Sequence, residues 1–201
     1  MVDILTVLIL IIDFGFSIWN AYASGLNVEM LRREGGSSWL RAVAYSGLGL
    51  AYCGATYVMV IVVGYVAYAF GYVSADVVDG VLGLDFLLFG LLIIGFGLMV
   101  TVQSIIVAAR KRSLGNVAVA VWNAFAEVWD IASYAEGFRD AISMVRGGSR
   151  DQNDETSLIL IVLVALLLAY FMVHAAYMQG KRKAQGSGSS SYGRYGRDAG
   201  F

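Results

Sequence analysis

The chain has 201 residues, of which 59% are hydrophobic and only 14% charged, and its formal net charge is −1. A soluble domain is roughly 45–50% apolar and about 25% charged, so this composition excludes an ordinary soluble fold. The near-neutral charge offers no basic field for nucleic acid. The single cysteine, Cys53, excludes an intrachain disulfide, and the single histidine, His174, excludes a site built on two imidazoles. No metal or cofactor is expected.

Residues 42–73, 86–109 and 157–178 carry no Asp, Glu, Lys or Arg. Stretches that long and that apolar belong in a bilayer. The fold class expected is therefore all-α, a polytopic transmembrane helix bundle. Proline is absent while glycine occurs 24 times, so any helix bend falls to glycine. That absence also argues against a transporter built on broken helices.

The first span is expected over residues 2–24. No basic residue precedes it and no small-residue cleavage site follows, so it does not resemble a signal peptide. A loop with Arg32, Arg33 and the pair Gly35–Gly36 follows, and Ser37 or Ser38 offers the next N-cap. The second span covers 42–73 within a helix of about 50 Å, at ~1.5 Å per residue. The connector to the third span is acidic (Asp76, Asp79, Asp85), and the reading places Asp85 at the membrane edge. The third span, 86–109, ends in Arg110, Lys111 and Arg112.

Residues 113–148 hold a helical seam in which Val117, Val121, Ala124, Val128, Ile131, Ala135, Phe138, Ile142 and Val145 alternate in steps of four and three. Glu127 and Asp130 lie off that seam. The segment lies on the membrane surface, stands in the cytoplasm, or crosses at about 117–135 with its acids facing protein. Arg32, Arg33 and Arg41 put the first loop inside and the amino terminus outside. If residues 113–148 cross, eleven of the fourteen Lys and Arg fall inside; if they do not, nine do. The last span, 157–178, then ends in the cytoplasm, and five crossings are expected. The acidic polar face also argues against a surface helix, since those prefer Lys and Arg. Residues 181–201, rich in Gly, Ser, Tyr and Arg, are expected to form a disordered tail.

Within the first span Thr6, Asp13, Ser17, Asn20 and Ser24 form one polar stripe with Asp13 near its midpoint. A carboxyl at that depth is costly unless it faces protein or water. The stripe is thus either an interhelical clasp or the lining of a pathway. Gly90, Gly97, Thr101, Ser104 and Ala108 repeat the spacing with small side chains, as helix packing in lipid requires. Gly47, Ala51 and Ala55 form a second such face. His174 lies with Tyr170 and Tyr177 in an interface belt. Trp19–Ala23 (WNAYA) recurs as Trp122–Ala126 (WNAFA), a five-residue echo suggestive of an inverted repeat.

No phosphate loop, nucleophile elbow, metalloprotease helix or potassium filter is present, so no enzyme is expected. Two functions remain. One is a homo-oligomer that conducts an ion or small solute, with Asp13, Ser17 and Asn20 lining the route and Glu127 and Asp130 forming an acidic mouth. The other is a non-catalytic assembly subunit of a larger membrane complex or envelope. The partners expected are the lipid bilayer and further copies or other membrane subunits, with no nucleic acid.

Overall fold

A computed structural model describes residues 4–147 and 152–186. It contains five helices: α1 (Ile4–Glu34), α2 (Ser38–Ala69), α3 (Ala75–Arg110), α4 (Leu114–Gly147) and α5 (Gln152–Gly186). No strand occurs among the described residues. Four of them, α1, α2, α3 and α5, are long and apolar enough to cross a membrane.

Short polar turns separate the helices. Gly35 turns the chain at φ 76° after α1, and Ser37 caps α2 by accepting from the Leu40 amide. Gly71, at φ 73°, closes α2: its own amide bonds the Tyr68 carbonyl and the Tyr72 amide bonds that of Ala67. Ser74 then caps α3, and Ser113 caps α4 by accepting from the Asn116 amide.

The helices run alternately up and down. Ser24 meets Gly47 and Ser17 meets Gly54, so α1 and α2 are antiparallel. Along α3 and α4, Thr101 meets Asn123, Gly97 meets Glu127, Gly90 meets Tyr134 and Gly83 meets Ala141. That register holds over the whole apolar length of α3, so α4 returns the chain through the full height of the bundle. Helix α5 packs antiparallel to α2, with Tyr170 stacked on Tyr52 and Ile161 in one cluster with Val60. It therefore runs parallel to α1, and the two end together.

That shared end is tied twice. A Cβ on Gly25 would collide with the Tyr177 carbonyl, and one on Gly180 with the Tyr22 carbonyl, so the two backbones touch there. One turn further, Glu29 is 1% exposed and accepts from Arg32 at 2.7 and 3.1 Å and from Arg33 at 3.2 Å, with Gln185 of α5 adding a further bond. Several elements are longer than the sequence reading expects. Helix α3 begins at Ala75, within the expected connector. Helix α1 continues past Ser24 to Glu34, and α5 continues past Gly180 to Gly186, because each supplies the other with a packing surface. Residues 187–201 of the expected tail lie outside the described residues.

The interior is small and polar. Ala21, Ala51, Ala55, Ala165 and Ala169 are fully buried, as are Ser17, Ser24, Thr56, Thr101 and Ser104 almost completely, while Leu91, Leu92, Ile105, Leu163 and Leu167 are exposed. Helix α4 follows the same rule. Its apolar seam residues Val117, Val121, Val128 and Ile131 point outward, and Ala120, Glu127 and Ala141 point in. Such an arrangement fits lipid as the surrounding solvent, because lipid gives leucine no reason to hide.

The contact between Gly25 and Gly180 makes a direct test. Gly180→Val should force α1 and α5 apart and lower the thermal midpoint in detergent, at a cost of about 1–3 kcal/mol. Gly95→Ala, with nothing within 4 Å of the added carbon, should leave it unchanged. A thiol-reactive dye reporting the exposure of buried Cys53 on heating gives the readout.

Candidate functional site: buried carboxyls between the helices

The polar stripe of α1 divides into two parts. Ser17 and Ser24 are buried against α2, where a Cβ on Gly54 would lie 2.5 Å from the Ser17 hydroxyl and one on Gly47 2.7 Å from that of Ser24. Ser17 also donates to the carbonyl of Asp13 at 2.9 Å. These serines act as glue between close backbones. Asn20 is half-buried, and Asp13 is exposed. The expectation that Asp13 faces the bundle does not hold for a single chain. Beyond Gly54 the opposing face of α2 carries Val58, Ile61, Val62 and Tyr65, which hold α1 away and leave an apolar groove of about 450 Å³. The side chain of Thr6 lies outside the described positions.

The buried carboxyls lie elsewhere. Asp85, expected at the membrane edge, is 4% exposed inside α3, and neither of its oxygens has a hydrogen-bond partner. Helix α3 begins ten residues before it, at Ala75, because Ser74 caps it. Val78, Val81 and Asp85 then fall on one buried face at steps of three and four. That spacing is the signal that reveals Asp85 once the acidic connector is read as helix.

Glu127 is the second buried carboxyl, also 4% exposed. Its Oε2 fits against the bare α-carbon of Gly97, where a Cβ would collide with it, and its Oε1 has no partner. One turn away on the same face of α4, the amide nitrogen of Asn123 is buried and likewise unpartnered. An acceptor and a donor left open side by side suit a bridging water. Around them the seam is well made. Thr101 donates to the Asn123 carbonyl at 3.3 Å, and Ser104 donates to that of Thr101 at 2.8 Å. Tyr134 lies over Gly90 and donates to the Leu87 carbonyl at 3.0 Å, while its ring stacks on Phe86 at 5.3 Å. Gly90, Gly97 and Thr101 therefore face α4, while Ser104 is buried and bonds within its own helix.

The Tyr57 hydroxyl of α2 lies within electrostatic reach of Asp85, Asp13 and Asp130, and the half-buried Asp130 within reach of Asp13. Glu127 sits in the α3–α4 seam, and Ser17 belongs to the α1–α2 contact. No group of three His, Cys, Asp or Glu suited to a metal ion occurs among the described residues. His174, on α5, is exposed and stacks on Tyr170 at 5.4 Å. Tyr57 was not singled out in the sequence because one tyrosine among twelve carries no pattern.

The apolar helices support a bilayer environment and are consistent with a multi-pass integral membrane protein. No protein-family model, curated protein or solved structure matches the chain.

The fit of Glu127 onto Gly97 predicts coupling between the two positions. Gly97→Ala alone should lower the thermal midpoint, by about 1–3 kcal/mol, because the methyl displaces the carboxylate from its seat. In a Glu127→Ala background the same change should cost little, and a double-mutant cycle measures the difference. Additive effects would show that the two residues do not touch.

Proposed function

We propose that the chain is a five-span membrane protein that passes protons or small cations, with its amino terminus outside and its carboxy terminus in the cytoplasm. The observation that carries this reading is the pair Asp85 and Glu127, two carboxyls each 4% exposed and each with at least one unpartnered oxygen. Carboxyls kept in a membrane interior without partners mark proton and ion pathways. The Tyr57 hydroxyl lies within electrostatic reach of Asp85, Asp13 and Asp130, which supports a route that water would complete. The route then runs among α2, α3 and α4, with α1 at its flank, and the lining is no longer the helix-one stripe alone. Asp13, open on that flank, gives a second copy something to cover, which keeps self-association within the proposal.

The helix directions support five crossings: α1, α3 and α5 run one way, and α4 runs back between α3 and α5. Arg32, Arg33, Arg41, Arg110, Lys111, Arg112, Lys181, Arg182 and Lys183 then share one end, which the positive-inside tendency makes cytoplasmic. The competing reading is an assembly subunit held by small-residue faces. Gly25, Gly47, Gly54, Gly97 and Gly180 are all occupied within the chain, which leaves that reading less support.

Topology is tested by thiol labelling in a Cys53→Ala background. Cysteines at Ser74 and Ser149 should react with an impermeant reagent from outside and one at Ser113 only from inside. Labelling of Ser149 from inside would remove the fifth crossing. Function is tested in proteoliposomes under a potassium diffusion potential, with a trapped pH dye. The parent should carry protons, and Asp85→Asn and Glu127→Gln should each reduce the rate at least tenfold while eluting as the parent does from a sizing column. A silent parent would overturn the passage reading in favour of the assembly subunit.

A further inference from the structure

The end of the bundle where α1 and α5 finish together gathers positive charge from three mutually packed helices, α1, α2 and α5. A Cβ on Gly25 would lie 3.1 Å from the Lys181 amide nitrogen, which sets Lys181, Arg182 and Lys183 beside the last turns of α1. Helix α2 adds a cation at the same height. Ser24 faces Gly47 across the α1–α2 contact, and that register, continued along both helices, brings Arg41 level with Met30. The stacking of Tyr52 on Tyr170 carries Arg41 to the level of Lys181 on the α5 side as well. Arg32 and Arg33 complete the group.

Two of these cations are held in place. The buried Glu29 accepts from Arg32 through Nε at 3.1 Å and Nη2 at 2.7 Å, and from Arg33 through Nε at 3.2 Å. Only part of each guanidinium is used, and the two side chains remain 68% and 42% exposed. Arg41 and Arg182 are exposed and form no hydrogen bond or ion pair among the described residues. Six Lys and Arg thus stand against two acids on these helix ends, Glu29 and Glu34. Guanidinium groups fixed on one side and open on the other suit an anion that accepts two parallel bonds, as phosphate does.

Depth selects the source of that phosphate. Trp39 and Tyr45 flank Arg41 along α2 and are both exposed, and the Trp39 indole donates to Gln103 at 2.7 Å. On α5 the Lys181 ammonium lies 5.6 Å from the centroid of the Tyr177 ring. Tryptophan and tyrosine at the ends of apolar spans mark the headgroup level of a bilayer. A lipid presents its phosphate at that level and is kept there by its chains, whereas a soluble anion has to be drawn from screened bulk water.

We infer that the shared end of α1, α2 and α5 binds the headgroup phosphate of an acidic phospholipid, with Arg32 and Arg33, seated by Glu29, and Arg41, Lys181 and Arg182 as its cations. The site needs only the bilayer setting, and the passage reading stands or falls without it.

The probe is dioleoylphosphatidylglycerol, set against dioleoylphosphatidylcholine, added to the delipidated full chain in detergent with bound lipid counted by native mass spectrometry. The parent should prefer phosphatidylglycerol at least tenfold. In a parallel thermal-shift titration of the parent, raising the salt from about 0.05 M to about 0.5 M should remove most of that preference. Arg41→Gln and Arg182→Gln break no bond within the described chain. Each should weaken phosphatidylglycerol binding at least threefold, and together at least tenfold, while eluting as the parent does from a sizing column. Arg110→Gln, at the same end but on α3, and Arg139→Gln, at the far end of α4, should leave it unchanged. Equal binding of the two lipids by the parent, or a preference indifferent to salt, would overturn the site. So would an equal loss in Arg110→Gln, which would make the attraction a diffuse one. Full displacement of the lipid by soluble glycerophosphoglycerol at the same concentration would overturn the lipid as ligand and leave a site for a free phosphodiester.

Discussion

Lipid neither donates nor accepts hydrogen bonds, and it is as apolar as a leucine side chain; most of what this bundle does follows from those two facts. Polar groups must find partners inside the protein, while large apolar groups gain nothing by entering. The interior is accordingly built of alanine, valine, glycine, serine and threonine, with backbones brought close enough for dispersion forces to act over long lines of contact. The meeting of Gly25 and Gly180, and of Gly47 and Gly54 with two serines of α1, are the closest of these approaches. Many leucines and isoleucines and all four tryptophans are exposed on the outer surface.

The same constraint explains α4. It is not among the four helices long and apolar enough to cross a membrane. Yet a helix that lies along all of α3, with valine and tryptophan outward and glutamate inward, satisfies lipid as well as a uniformly apolar one. What matters in a bilayer is where each polar group points. Helix α3 supplies what α4 requires: Gly97 makes room for a carboxylate, Gly90 for a tyrosine ring, and Thr101 a hydroxyl for a backbone carbonyl.

Reading the residues in order reveals the helices and their number readily, because charge-free runs of twenty and more residues have one physical home. Packing faces were visible too, since Gly90, Gly97 and Ser104 recur at intervals of seven. Helix ends were less visible. The extension of α1 to Glu34 depends on Glu29 meeting Arg32, Arg33 and Gln185, a cluster assembled from opposite ends of the chain. Asp85 was misplaced for a related reason. Three acids in eleven residues look like a loop until Ser74 is recognised as the cap of a helix that already contains them. The orientation of Asp13 was beyond periodicity altogether. It shares a stripe with Ser17 and Ser24, but whether a stripe is covered depends on the neighbour, and bulky residues on α2 from Val58 onward leave that level open.

The unpartnered groups, Asp85, Glu127 and the amide nitrogen of Asn123, are where the bundle departs from its own rule. Glu29, the other deeply buried carboxyl, is held by Arg32, Arg33 and Gln185, whereas Asp85 has no donor for either oxygen and Glu127 none for Oε1. An apolar residue at either position would pack without that penalty, and replacing buried charges with apolar groups is often neutral or stabilising. Packing alone therefore does not account for acids here.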